Sequence, residues 1–277
     1  MTDAAKPVAR TSDLGPRVAS GIVMIAAALG TAWAGGQWFV AFWLAAGVAM
    51  HWEWQRLVGG ERQTARFVVG AGAMAAAAAS TFNTAPEIGV LAALVAAAIC
   101  GALAGPAARW WAAAGVVYAA ALVISVIFLR ESVIGGFVAI LWLFATVWGT
   151  DIMAYFGGRT IGGPKLWPRV SPSKTWSGFL TGVTCGALAG LAVAPTGSSI
   201  LYVLILTAVA AALSQGGDLL ESSIKRHFGV KDSSHLIPGH GGVMDRLDGF
   251  IAAAVFAALV GFARTGHGSP AQALFHW

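Results

Sequence analysis

Nine stretches of this chain are apolar for long enough to cross a lipid bilayer, near 18–35, 38–55, 67–83, 88–105, 110–129, 133–150, 177–195, 199–216 and 249–264. A spanning helix needs roughly 20 mostly apolar residues. Inside hydrocarbon the backbone must satisfy its own hydrogen bonds, so spans of this kind are expected to be helices. The expected fold is therefore all-α, a polytopic integral membrane protein with about nine transmembrane helices. The third stretch is the weakest, because Ala73–Ala79 is mostly alanine, and an eight-helix count follows if it lies shallow. With 57% hydrophobic and 10% charged residues the composition leaves little room for a soluble domain, and the 36 glycines suit close helix–helix approach in lipid.

The cations fix an orientation. With a cytoplasmic N-terminus, Lys6, Arg10, Arg17, Arg56, Arg62, Arg66, Arg109, Arg159, Lys165, Arg169, Lys174, Lys225, Arg226, Lys231 and Arg246 all lie inside, and Arg130 and Arg264 outside. That partition, 15 against 2, follows the positive-inside rule and predicts an N-in, C-out chain. The net charge of +5 then reflects the membrane side, and no recognition helix or basic–aromatic strand points to nucleic acid. Cys100 and Cys185 each sit inside a span without CxxC spacing, as buried small residues. No small-x-small site follows the first span, so the residues before Leu14 read as a cytoplasmic tail, not a cleaved signal, and the last dozen as a short outer tail. No repeat or linker divides the chain. Residues 1–277 form one membrane domain, in which 1–150 is mainly scaffold and 151–264 carries two polar cytoplasmic loops, 151–176 and 216–248.

Those loops concentrate the chemistry. Charges beside hydrocarbon are costly and call for a reason. Asp218 ends the eighth stretch, while Asp245 and Asp248, three apart, share one helical face at the start of the ninth. If these ends are neighbours, hard oxygen ligands converge at a solvent-accessible site, which suits Mg²⁺. The plainer alternative is that Asp245 and Asp248 complement a helix N-terminus. His240, Gly241 and Gly242 precede that helix as a turn able to aim N–H groups at an anion. Lys225, Arg226, Lys231 and Arg246 can neutralise phosphate, although interfacial cations also attract lipid headgroups. In the other loop Asp151 ends an apolar stretch, with Arg159 as a plain structural partner. Ser173, Lys174 and Thr175 offer phosphate contacts, or an ordinary helix start. The spacing excludes a Walker A loop.

The series Ser222, Ile224, Lys225, Arg226, Lys231, Asp232, Ser234, Ile237, Pro238, His240, Gly241, Gly242, Val243, Asp245, Arg246, Leu247 and Asp248 resembles the signature of phosphatidate cytidylyltransferases, or CDP-diacylglycerol synthases. Trp148–Asp151, Ala154–Arg159 and Ser171–Trp176 resemble the same family, so the likeness is close over about 140–260. One departure is that Ser173 and Ser177 stand where the family pattern reads Lys and Glu. The resemblance implies that CTP and phosphatidate give CDP-diacylglycerol and pyrophosphate, in phospholipid biosynthesis at a cell membrane, the bacterial inner membrane being expected. It implies Mg²⁺ on Asp218, Asp245 and Asp248, and phosphate or headgroup contacts from Lys225, Arg226 and Arg246. Lys231, Asp232 and His240 are implied as site residues, and Ser173, Lys174, Thr175, Ser222, Gly241 and Gly242 as substrate-binding positions. The partners are CTP, phosphatidate and the bilayer; a homodimer is admitted but not read from the residues.

A transporter of the same helix count should show inverted repeats and charges near the midplane, and neither is evident. Nearer rivals are other CTP-using membrane enzymes, such as a polyprenol or dolichol kinase or an archaeal ether-lipid cytidylyltransferase. The motif of CDP-alcohol phosphotransferases is absent.

Overall fold

A computed structural model describes residues 14–264 and 269–275; the tail containing Lys6 and Arg10 lies outside the described residues. Nine long helices follow one another: α1 (Leu14–Ala34), α2 (Gly36–Val58), α3 (Gln63–Phe82), α4 (Pro86–Leu103), α5 (Arg109–Arg130), α6 (Gly136–Thr160), α7 (Trp176–Val193), α8 (Ile200–His227) and α9 (Met244–Ala263). Between α6 and α7 lies an antiparallel hairpin, β1 (Lys165–Trp167) and β2 (Ser171–Thr175). A short helix α10 (Pro270–Phe275) packs against α9, with Leu274 and Phe275 buried, so this part of the expected outer tail is folded onto the bundle.

Eight of these helices are long and apolar enough to cross a membrane. The one that falls short is α2; α3 qualifies with the lowest mean hydropathy of the eight, 1.3. The polar run His51–Arg56 depresses α2, yet most of its buried donors find partners inside the protein. Trp54 Nε1 donates to Trp111 O at 2.8 Å, Gln55 Nε2 donates to Ala112 O at 2.9 Å, and a ring nitrogen of His51 lies 3.2 Å from Arg66 O. Buried polar groups are tolerated when paired. Hydropathy does not see the pairing.

Two helices outrun their apolar stretches. α8 has 28 residues, about 42 Å at 1.5 Å per residue, against about 30 Å of hydrocarbon. Its last turns, expected as loop, are helix because Leu219–Arg226 are mostly good helix formers. α6 likewise carries Asp151 and Arg159 on helix, where a loop was expected. The 165–175 hairpin was also expected as loop. Thr175 ends it and caps α7, its Oγ1 accepting from Gly178 N at 3.1 Å.

α6 and α7 pack more extensively than any other pair. Glycine makes this approach possible: a Cβ on Gly182 would lie 2.8 Å from Thr150 O, Ala154 Cβ and Gln215 Nε2. At the centre, Trp43 stacks on Phe250 with centroids 5.1 Å apart, and Phe144 on Trp148 at 4.7 Å. The packing holds the end of α6, the start of α7, the end of α8 and the start of α9 at one end of the bundle.

Candidate active site

Two cavities open at that end. The first, about 450 Å³, lies between the end of α6, the hairpin, the start of α7 and α8. Arg159, Lys165 and Lys174 line it together with Asp151, Asp218 and the hydroxyls of Ser173 and Thr175, three cations to two carboxylates. The second, about 600 Å³, runs between α1, α2, α6 and α9. Met24, Ile25, Phe42, Trp43, Phe144 and Trp148 make most of it apolar, while Asp151, His240, Arg246 and Asp248 supply a polar end. Asp151 lines both.

Lys174 Nζ sits 2.6 Å from Asp218 Oδ2, joining the hairpin to α8. The charges of Asp151 and Asp218 both act on Asp248, and Lys174 acts on Asp151 and Asp248. Of the three carboxylates, only Asp218 forms an ion pair among the described residues. Arg159 donates to Tyr155 Oη at 3.4 Å, and no Asp151–Arg159 ion pair forms among the described residues. Asp151, which the sequence reading left without a role, is where the cavities meet. The available signal was its place at the end of an apolar stretch.

Asp245 is arranged differently. Its carboxylate accepts from Lys225 Nζ at 2.7 Å, Gly242 N at 2.8 Å, Ser233 Oγ at 3.0 Å and Ser233 N at 3.0 and 3.2 Å. Lys225 in turn lies 2.7 Å from Glu221 Oε2. Both ends of this ion pair are largely buried, so Lys225 clamps α8 to α9 and faces neither cavity. The turn before α9 needs its glycines. Gly241 has φ +81°, and a Cβ there would sit 2.7 Å from Asp245 Oδ2; a Cβ on Gly242 would collide with Ser233 Oγ.

The remaining expected residues divide by position. His240 Nδ1 lies 2.8 Å from Ser20 Oγ of α1, and Arg246 Nε donates to His240 O at 3.0 Å; both side chains reach the apolar cavity. Ser222 Oγ donates to Asp218 Oδ1 at 3.3 Å. Arg226 is exposed and donates to Val230 O at 3.0 Å, which closes the end of α8. Lys231 and Asp232 are exposed in the following loop and line neither cavity.

Among the described residues no three His, Cys, Asp or Glu side chains are already placed as a metal cage. The donor chemistry nevertheless suits a hard cation. Asp151, Asp218 and Asp248 offer oxygen ligands on the cavities, and of the three only Asp218 is ion-paired among the described residues. Asp245, the third ligand expected from the sequence, has its oxygens taken by the loop and by Lys225.

Residues 15–263 match the cytidylyltransferase family. The chain is 41% identical over 262 residues to the phosphatidate cytidylyltransferase of Brucella abortus biovar 1 (strain 9-941), covering 90% of this chain and 94% of that protein. Over 131 residues it is 43% identical to the protein of the same name from Staphylococcus saprophyticus, 46% of this chain and 50% of that one. Over 115 residues it is 47% identical to that from Staphylococcus epidermidis (strain RP62A), 40% of this chain and 44% of the other.

Proposed function

The chain belongs to the cytidylyltransferase family and is a membrane nucleotidyltransferase that joins a cytidylyl group to phosphatidate, and we propose that its two joined cavities are where the substrates meet. The observation that carries this placement is Asp151, which borders both a cationic cavity and an apolar one. A triphosphate suits the first, where Arg159, Lys165 and Lys174 stand among serine and threonine hydroxyls. Acyl chains suit the second, where aromatic and aliphatic side chains form most of the wall.

In the reaction an oxygen of the phosphatidate phosphate attacks the α-phosphorus of CTP, the bond to the β-phosphate breaks, and pyrophosphate leaves. The nucleophile is already anionic, so the protein's task is to hold two polyanions in line and offset their charge. Lys174 can turn from Asp218 to the triphosphate, while His240 and Arg246 face the lipid headgroup from the other cavity. Asp218 and Asp248, with Asp151, would hold Mg²⁺, which supplies charge neutralisation and polarises the attacked phosphate. Asp245 and Lys225 keep the α8–α9 frame rigid around them. The site lies at the end of the bundle where the cations gather, so we place it on the cytoplasmic side of the cell membrane.

Ala45 is exposed on the apolar cavity wall. Ala45→Phe should raise the surface density of phosphatidate needed for half-maximal rate by about tenfold, within the range for a hydrophobic pocket altered by a few carbons. The CTP requirement should stay unchanged. Equal rises in both, or a rise in CTP alone, would remove the lipid from this cavity.

A further inference from the structure

Glu53 of α2 is fully buried, yet it is reached by the signature loop some 180 residues downstream. Its Oε1 accepts from Ser234 Oγ at 2.6 Å and from Val243 N at 2.8 Å. Its Oε2 accepts from Met244 N at 2.7 Å and from Ser233 Oγ at 3.3 Å. The first turn of a helix leaves backbone N–H groups without intrahelical partners, and a residue at the N-cap normally takes one. The N-cap position of α9 is Val243, which has no side-chain oxygen. A carboxylate from another helix does that work here.

We infer that Glu53 is a positioning residue for the cytidylyl transfer: it caps α9 from α2 and so sets where the first turn of α9 presents Arg246 and Asp248. The inference rests on the proposed placement of α9 at the active site. Asp245 anchors the same turn from its other side through Gly242 N and Ser233. Ser233 donates its Oγ toward both carboxylates, so the loop is held between two acids on separate helices. A glutamine at position 53 keeps one carbonyl but turns an NH₂ group toward two donors, which frees one side of the clamp. The start of α9 then shifts without any loss of side chains from either cavity. Misplacement of a site by about 1 Å can cost on the order of a hundredfold in rate.

The test compares the full-length enzyme with Glu53→Gln, Ser234→Ala, the double variant and Asp248→Asn, all purified in detergent with phosphatidate. Glu53→Gln should lower kcat by about 10- to 100-fold while the KM for CTP stays within about threefold and the protein remains folded by thermal melt. Ser234→Ala should lose less, and the double variant should be no slower than Glu53→Gln alone, because the hydroxyl acts only through the carboxylate. Turnover within twofold of wild type for folded Glu53→Gln, or losses that multiply in the double variant, would overturn the inference. Where Glu53→Gln yields no folded protein, Ser234→Ala alone decides: a kcat loss of about threefold or more at unchanged CTP KM supports it, and wild-type kcat refutes it. Full activity of Asp248→Asn would instead remove α9 from the site and take the underlying placement with it.

Discussion

Asp245 and Asp248 are one helical turn apart, but the structure gives them different surroundings, and the consequence is measurable. Asp245 accepts from four donor groups, one of them Lys225 Nζ at 2.7 Å, in a largely buried setting. In Asp245→Asn one oxygen becomes an NH₂ group facing the N–H donors of Ser233 and Gly242. Each buried donor left unmatched costs about 1–3 kcal/mol. Breaking a buried ion pair by removing one partner costs about 3–5 kcal/mol. Here Glu221 still lies 2.7 Å from Lys225, so the lower end of that range applies. Both costs fall on one carboxylate and overlap, so the expected destabilisation is at least about 3 kcal/mol. Among the described residues Asp248 Oδ1 accepts only from its neighbour Gly249 N at 2.7 Å, and its side chain borders the apolar cavity. Asp248→Asn should leave the thermal midpoint near wild type and reduce turnover by at least about a hundredfold, the scale for losing a key electrostatic group. Thermal melts in detergent, paired with transfer of labelled CTP into lipid-soluble product, separate the two effects. A stable but inactive Asp245→Asn beside an unstable Asp248→Asn would refute the reasoning. Equal stability in both would do so as well.

Lys174→Gln should raise the KM for CTP by about 10- to 100-fold, matching about 1.5–3 kcal/mol for a charge-assisted contact, with the phosphatidate requirement unchanged; steady-state kinetics in both substrates would detect the reverse. For sidedness, single cysteines at Arg169, Leu236 and Thr196 can be placed in a chain whose Cys100 and Cys185 are alanine. All three positions are exposed. The first two should react with an impermeant thiol reagent from the cytoplasmic face and Thr196→Cys only from the other. Labelling of the first two from opposite faces would separate the hairpin from the α8–α9 loop and break the shared site.

The apolar stretches revealed the helices because burial in lipid demands long uninterrupted hydrophobic runs, and nine long helices occupy those stretches among the described residues. Apolarity locates the membrane, though, not the helix ends. α6 and α8 continue into polar sequence because helix propensity and packing persist after lipophilicity stops, which is how Asp151 and Asp218 come to sit on rigid elements. The same limit hid Glu53. On sequence alone, a glutamate among tryptophans in an apolar stretch is a defect in a span, and 1–150 reads as scaffold. In three dimensions its four hydrogen-bond donors all come from residues 233–244, and α1 and α2 wall the apolar cavity. A signature found by spacing marks a segment; it does not separate cavity-lining residues such as Asp248 from frame residues such as Lys225, and it carries no record of the distant acid that holds them. The two readings of the acidic pair, ligands or helix-terminus charges, were left open by spacing for the same reason. Only the placement of Lys225 and Ser233 separates Asp245, whose oxygens are taken, from Asp248, whose carboxylate borders the cavity.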